Sequence, residues 1–161
     1  MPVDIFLKIE GIKGESKDDQ YKEQIEVQSY SFGLTQAGTF AFGGGGGAGK
    51  AQFQDISFAA RVSKASPMLF LKCANGQHLP GATLSARKAG ERPLEFLQIK
   101  LNDVIITSYQ NGGSSGSDSL PVDQFSINYA KIEFAYTEQK DDGSAGEVTR
   151  AAWDVKANTG G

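Results

Sequence analysis

Apolar and polar residues alternate along Val122–Gln139, VDQFSINYAKIEFAYTEQ, for most of its length. Phe125, Ile127 and Tyr129 share one parity; Ile132, Phe134 and Tyr136 take the other. A strict period of two marks a half-buried strand. A slip of one residue sends the later side chains to the opposite face unless a bulge absorbs it. The stretch reads as one long strand, bulged or sharply bent near Ala130 and Lys131, with two short strands as the alternative. The slip recurs where Ile25 and Val27 give way to Tyr30, Phe32 and Leu34, and where Leu97, Ile99 and Leu101 give way to Val104 and Ile106. Bends at matched points in neighbouring strands are what a curled sheet or small barrel needs. The pattern itself does not show which strands pair.

Other segments fill in a β protein. Val3, Ile5, Leu7 and Ile9 form the apolar face of a first strand, with Phe6 on the other face. Gly11–Gln20 is a charged surface loop. Strands are predicted over Ile25–Gln36, Gln52–Arg61, Thr83–Lys88, Leu94–Gln110 and Glu147–Lys156, the last carrying Val148, Trp153 and Val155. Asn111–Ser119 is a polar loop. Asp142–Gly143 is the corner of the last hairpin, and Ala157–Gly161 is expected to fray. One helix is predicted within Ser63–Gln77. Ser66 is placed as its cap and Pro67 at its first position, with Ser63 a rival cap that the proline disfavours. Met68, Leu69, Phe70, Leu71 and Cys73 leave little polar face, which predicts a buried helix closing a barrel mouth. Asn75 and Gly76 read as its stop.

Composition narrows the class. The chain has 161 residues, enough for one domain over 1–161. Sixteen basic against nineteen acidic residues give a formal charge of −3, too balanced for a nucleic-acid or anionic-membrane binder. One cysteine excludes an internal disulfide. No apolar run approaches membrane-spanning length. The N-terminus lacks the basic start and apolar core of a signal peptide. Twenty glycines stand well above the usual ~7% and point to many turns.

The oddest segment is Ala37–Lys50, AGTFAFGGGGGAGK. Gly44, Gly49 and Lys50 fit G-x-x-x-x-G-K, but a phosphate-binding loop then needs Ser or Thr, and Ala51 follows. It also needs a helix after the lysine, where Gln52–Arg61 reads as a strand. A different argument applies to the arm. Ordering each residue costs roughly 1–2 kcal/mol of backbone entropy, glycine more than most. Phe40 and Phe42 are its apolar anchors, each worth about 1.5–3 kcal/mol if buried. The arm is therefore either mobile or ordered against another molecule. Two exposed phenylalanines favour a partner surface; the plain alternative is a flexible hairpin tip.

Candidate chemistry is thin elsewhere. His78 is the lone histidine, and with Cys73 it supplies only two soft ligands, too few for a zinc site. His78 reads as a surface residue and Cys73 as a small buried hydrophobe. Asp18, Asp19, Asp141, Asp142 and Glu147 lack calcium-loop spacing and read as solvated turns. No catalytic triad, metal site or cofactor site is indicated.

Four blocks carry a resemblance: VDIFLKIEGIKGES, FGGGGGAGKAQFQDISFAA, KASPMLFLKCANGQHLPGATLSARKAG and FSINYAKIEF. They run in order from end to end. On them the chain resembles the Hcp family, the haemolysin-coregulated proteins of the bacterial type VI secretion tube. The resemblance implies a mainly β fold: a curled two-sheet β-barrel with one short flanking α-helix and a long extended glycine-rich loop. It implies a structural subunit, not an enzyme, with no cofactor and no metal. Homo-hexameric rings would stack into a tube that a contractile sheath drives outward behind a trimeric spike protein. Small effector proteins would sit in the channel. Neither nucleic acid nor membrane insertion is implied. Such a protein stays in the bacterial cytoplasm until firing and then reaches the extracellular space or target cell without a signal peptide. The ring-stacking loop, carried onto this chain, comprises Gln36, Thr39, Phe40, Phe42, Gly43, Gly44, Gly45, Gly46, Gly47 and Lys50. The runner-up is a ring-shaped adaptor or chaperone for secreted effectors; a nucleotide hydrolase is third. The chain ends at Gly161 without a toxin-like extension, so a fused activity is not expected.

Overall fold

The strand expected from Val122 to Gln139 is present with those bounds and is the spine of the molecule. The computed structural model describes residues 2–38 and 50–161. Its elements are β1 (Val3–Ile9), β2 (Ile25–Val27), β3 (Ser29–Ser31), β4 (Leu34–Thr35), β5 (Gln52–Phe53), β6 (Ile56–Arg61), α1 (Ser66–Asn75), β7 (Leu79–Lys88), β8 (Leu94–Gly112), β9 (Val122–Gln139), β10 (Ala145–Asp154) and β11 (Thr159–Gly160). The protein is mainly β, with one helix among the described residues and a large antiparallel sheet. β1, β7, β8, β9 and β10 lie side by side in it, and β2 pairs with β1.

Two of the expected phase slips, those of β8 and β9, are aligned, and β7 changes face at the same row. Leu79 faces Val104, which faces Tyr129; Gly81 faces Asn102, which faces Lys131. The changes of face in β7, β8 and β9 therefore share one row. Across it the buried residues change parity: Leu79 to Ala82, Leu101 to Val104, Tyr129 to Ile132. The expected bulge at Ala130–Lys131 is absent, because the β8–β9 ladder counts through that point without an inserted residue. Asp103 lies in this row at φ 51°, a left-handed conformation that redirects the strand. β9 also changes neighbour here. Residues 122–127 pair with β6 and 131–139 with β10. The register shift in β8 falls later, between Ile106 and Ser108.

The strand expected over Ile25–Gln36 is three short ones. β2 pairs with β1, β3 with β6 and β4 with β5. Its phase slip marks the bend at Gln28, where the chain leaves one partner for another. Gln28 N–H still reaches the Ala59 carbonyl at 2.8 Å.

One buried cluster joins these elements, with Leu7, Ile56, Leu84, Ile99, Val104, Ile106, Phe125 and Ile127 nearly inaccessible. Phe58 stacks on Phe125 at 5.1 Å. Phe6, on the other face of β1, is covered by Tyr21 at 4.4 Å, with the Arg87 guanidinium 5.3 Å and 5.2 Å from the two rings. Arg87 also holds Asp18 at 2.7 Å and Asp4 at 3.2 Å, pinning the 11–20 loop to the sheet. That hydrogen bond keeps the Asp18 carboxyl below its usual range.

Two other expectations change. The C-terminus pairs instead of fraying: Trp153 faces Gly160 and Asp154 faces Thr159. A side chain at Gly160 would collide with the Ala152 carbonyl and the Trp153 ring, so only glycine lets this return strand lie flat. The helix starts at Ser66 and stops at Gly76 (φ 64°), but Ala65 is its N-cap and no side chain caps it. Nor is the helix well buried. Of its residues only Ser66 and Leu69 are, while Phe70 is 61% and Leu71 45% exposed. The helix is laid against β8 and leaves its other apolar side open.

Candidate assembly surfaces

The predicted arm is only partly in view. Thr39, Phe40, Phe42 and Gly43, Gly44, Gly45, Gly46 and Gly47 lie outside the described residues. Gln36 and Lys50, at its two ends, are exposed. The root of the arm is the β4–β5 ribbon, where Leu34 faces Phe53 and Thr35 faces Gln52. Leu34 is 52% exposed. After Lys50 the chain continues as β5, a strand, so the helix a phosphate-binding loop needs is not there.

Beside this root lies an aromatic slot of about 550 Å³. Phe32, Leu34 and Phe53 form one wall, Ile132, Phe134 and Trp153 the other. Phe32 and Phe134 are 5.8 Å apart. The slot exists because β9 keeps its alternation after the aligned bend while the described residues cover Phe134 and Tyr136 only in part, leaving them 39% and 46% exposed.

A second surface is rich in hydroxyls, with charge only at its margins, where Asp55 accepts hydrogen bonds from Thr107 Oγ1 and Asn128 Nδ2, each at 2.7 Å, and Arg61 stands exposed at the end of β6. Ser31 faces Ser57, Ser57 faces Ser126, and Ser126 faces Ser108, a row of hydroxyls across β3, β6, β9 and β8. The next row is Ser29, Ala59, Gln124 and Gln110. No charged side chain belongs to either row. Ser126 is bonded to Thr107 at 2.7 Å and to Ser108, which locks the row at the register shift. No single segment announced this surface; its four serines come from four strands and only the register collects them.

Behind that sheet lies Asp123, 1% exposed. Its carboxylate accepts hydrogen bonds from Tyr109 Oη and Asn111 Nδ2, each at 2.7 Å, and from Ser66 Oγ. The hydroxyl expected to cap α1 is thus turned to β9, fastening the helix to the sheet from 57 residues away. Burial, then the Asp123 carboxylate, pushes the Tyr109 phenol above its ordinary value. The sequence carried no signal for this node: a single aspartate opening a strand looks solvated.

No metal-ligand cluster of three or more His, Cys, Asp or Glu residues occurs among the described residues. His78 is exposed, with Nδ1 3.1 Å from Asp103 Oδ1. Cys73 is half-buried on α1. No helix among the described residues is long and apolar enough to cross a membrane.

The described residues thus form a mainly β protein with a large bent antiparallel sheet and one docked helix. The chain belongs to the Hcp family of type VI secretion tube proteins: the family model described as "Type VI secretion system effector, Hcp" matches residues 6–136. It is 42% identical over 160 residues to Protein hcp1 of Pseudomonas aeruginosa, covering 98% of each chain. The crystal structure of Hcp1 from Salmonella typhimurium superposes with a TM-score of 0.81 at 32% identity, covering 99% of each chain. A solved type six secretion system protein gives a TM-score of 0.94 at 25% identity over 99% of this chain and 100% of that one. Family membership makes the protein a subunit of the type VI secretion tube.

Proposed function

We propose that six copies close into a ring and that rings stack head to tail through heterologous surfaces into the secretion tube. In this reading the sheet curls into a two-sheet barrel, because β1, β7, β8, β9, β6 and β3 follow one another by pairing and β2 continues into β3. The hydroxyl face of β3, β6, β9 and β8, whose two central rows carry no charge, carries the reading. A channel that passes effectors of differing charge needs a wall that neither repels nor traps ions, and a shallow depression of about 550 Å³ already runs along this face. The arm from Gln36 to Lys50 is the stacking contact, on the entropy argument above. The assembled tube meets a trimeric spike and a contractile sheath. The subunit waits in the bacterial cytoplasm and leaves with the tube.

Deletion of residues 40–47 is expected to leave rings and weaken tubes. Negative-stain images of the deletion with undiminished tubes would refute the stacking role. The adaptor reading would gain from rings that never stack yet hold effector tightly. Native mass spectrometry of the purified protein separates both from a lone module.

A further inference from the structure

We propose that the outer edge of β10 is a strand-acceptor site for an extended segment of a second copy of this chain, which drops alternate side chains into the aromatic slot. The inference rests on the ring reading above and names one of its contacts.

β10 gives one edge to β9 from Lys131 to Gln139. Among the described residues its other edge is met only by the C-terminal return: Ala152 exchanges both main-chain bonds with Gly161, at 3.1 and 3.0 Å. The main-chain groups of Ala152 therefore point outward, and by the period of two so do those of Arg150 and Val148. Among the described residues no main-chain group pairs with them there. Both residues are exposed. A row of free N–H and C=O groups recognises one kind of partner, another extended strand. Sheets commonly blunt such edges with bulges, prolines or a covering segment. Here the irregularity between Ala145 and Val148 blunts one end and β11 covers the other. Among the described residues nothing pairs with this edge from Val148 to Ala151.

The slot starts where that window ends. Ala151 and Ala152 form its near rim, and Trp153, Phe134 and Phe53 its walls. A strand added along β10 would hydrogen-bond at Val148 and Arg150 and place every second side chain over these rings. The occupant is a second copy for a reason of size. A stable pairwise interface buries about 800 Å² per partner. A 550 Å³ slot with a four-residue edge is on the scale of a small-ligand site, too little to hold a lone partner. Such a contact becomes firm when the partner is presented repeatedly by a closed ring, where each copy meets the next at high effective concentration.

Trp153 is the sole tryptophan and stands in the slot, so its emission reports occupancy. The experiment follows Trp153 emission and sedimentation of the full chain over a dilution series, for wild type, Ala151→Lys and Val148→Pro. The first variant fills the slot with charge; the second removes an outward N–H that the fold does not use. The proposal expects wild-type emission to move to shorter wavelength as the assembly forms. Each variant should raise the midpoint concentration about tenfold or more, with its thermal midpoint close to wild type. Assembly that proceeds in both variants as in wild type, or proceeds without any change in Trp153 emission, overturns the acceptor site and leaves the ring reading standing. A wild-type chain that stays monomeric at every concentration overturns both.

Discussion

The two halves of β9 have the same alternation and opposite fates. In the first half Phe125, Ile127 and Tyr129 are 2%, 0% and 3% exposed, sealed by β6, β8 and the rest of the core. In the second half Ile132 is covered, yet Phe134 and Tyr136, at the same spacing, stand open. The local code is identical. What differs is whether a second layer arrives on the apolar face. Over the first half it does. Over the second the β4–β5 ribbon comes only close enough to make a slot. Alternation therefore tells which residues share a face, while topology tells whether that face is core or contact surface. In an assembling subunit the second kind of apolar face is a functional signal.

The contrast can be broken in several ways. Phe125→Ala removes a ring packed on Phe58 and should destabilise the fold by about 3–5 kcal/mol. Urea unfolding of the isolated subunit measures it, and a loss below about 1 kcal/mol would mean the first half is not sealed. Asp123→Ala should cost about 1–3 kcal/mol, because Tyr109, Asn111 and Ser66 lose a buried acceptor. Amide exchange should then show α1 opening ahead of the sheet; a helix as protected as in wild type would contradict the latch.

Tyr129 sharpens the contrast through pH. Burial, then the nearby Asp55, pushes its phenol up to about 12. The unfolded chain loses that proton near pH 10 and the folded one near 12. The stability this group contributes is full below pH 10 and drains away as pH rises from 10 to 12. Tyr129→Phe should lose about 1 kcal/mol at pH 8 with its bond to the Gln54 carbonyl, and should show a shallower decline above pH 10. Equal slopes in the two proteins would place the alkaline transition on other groups, such as Tyr21, also raised to about 12. The smallest effect is expected from Phe134→Ala. On a half-open ring it should cost well under the Phe125 value, about 1 kcal/mol or less, in the same urea experiment. A loss as large as that of Phe125→Ala would erase the distinction between the halves.

Much of the architecture was legible from residue order. The bounds of β9, the stop at Gly76 and the long β8 all follow from periodicity and turn chemistry. The misreadings share a cause. Ser66 looked like a cap, but its hydroxyl is drawn to Asp123, a residue no local window contains. The helix looked buried because its composition is apolar, and composition does not reveal that α1 meets the sheet along one side only. The last residues looked loose, yet Gly160 fits against Trp153. The serine face and the aromatic slot were invisible for the same reason, since each gathers residues from several strands.

By itself the chain determined its period-two segments, the positions along it where they change phase and the family to which it belongs, because dihedral preferences and side-chain parity act over a few residues. Tertiary structure alone decided that β7, β8 and β9 would change face on one row, that a lone aspartate would anchor a helix, and which aromatic rings would stay exposed among the described residues. Those outcomes depend on register between distant strands, and register is settled by the joint burial of the whole core.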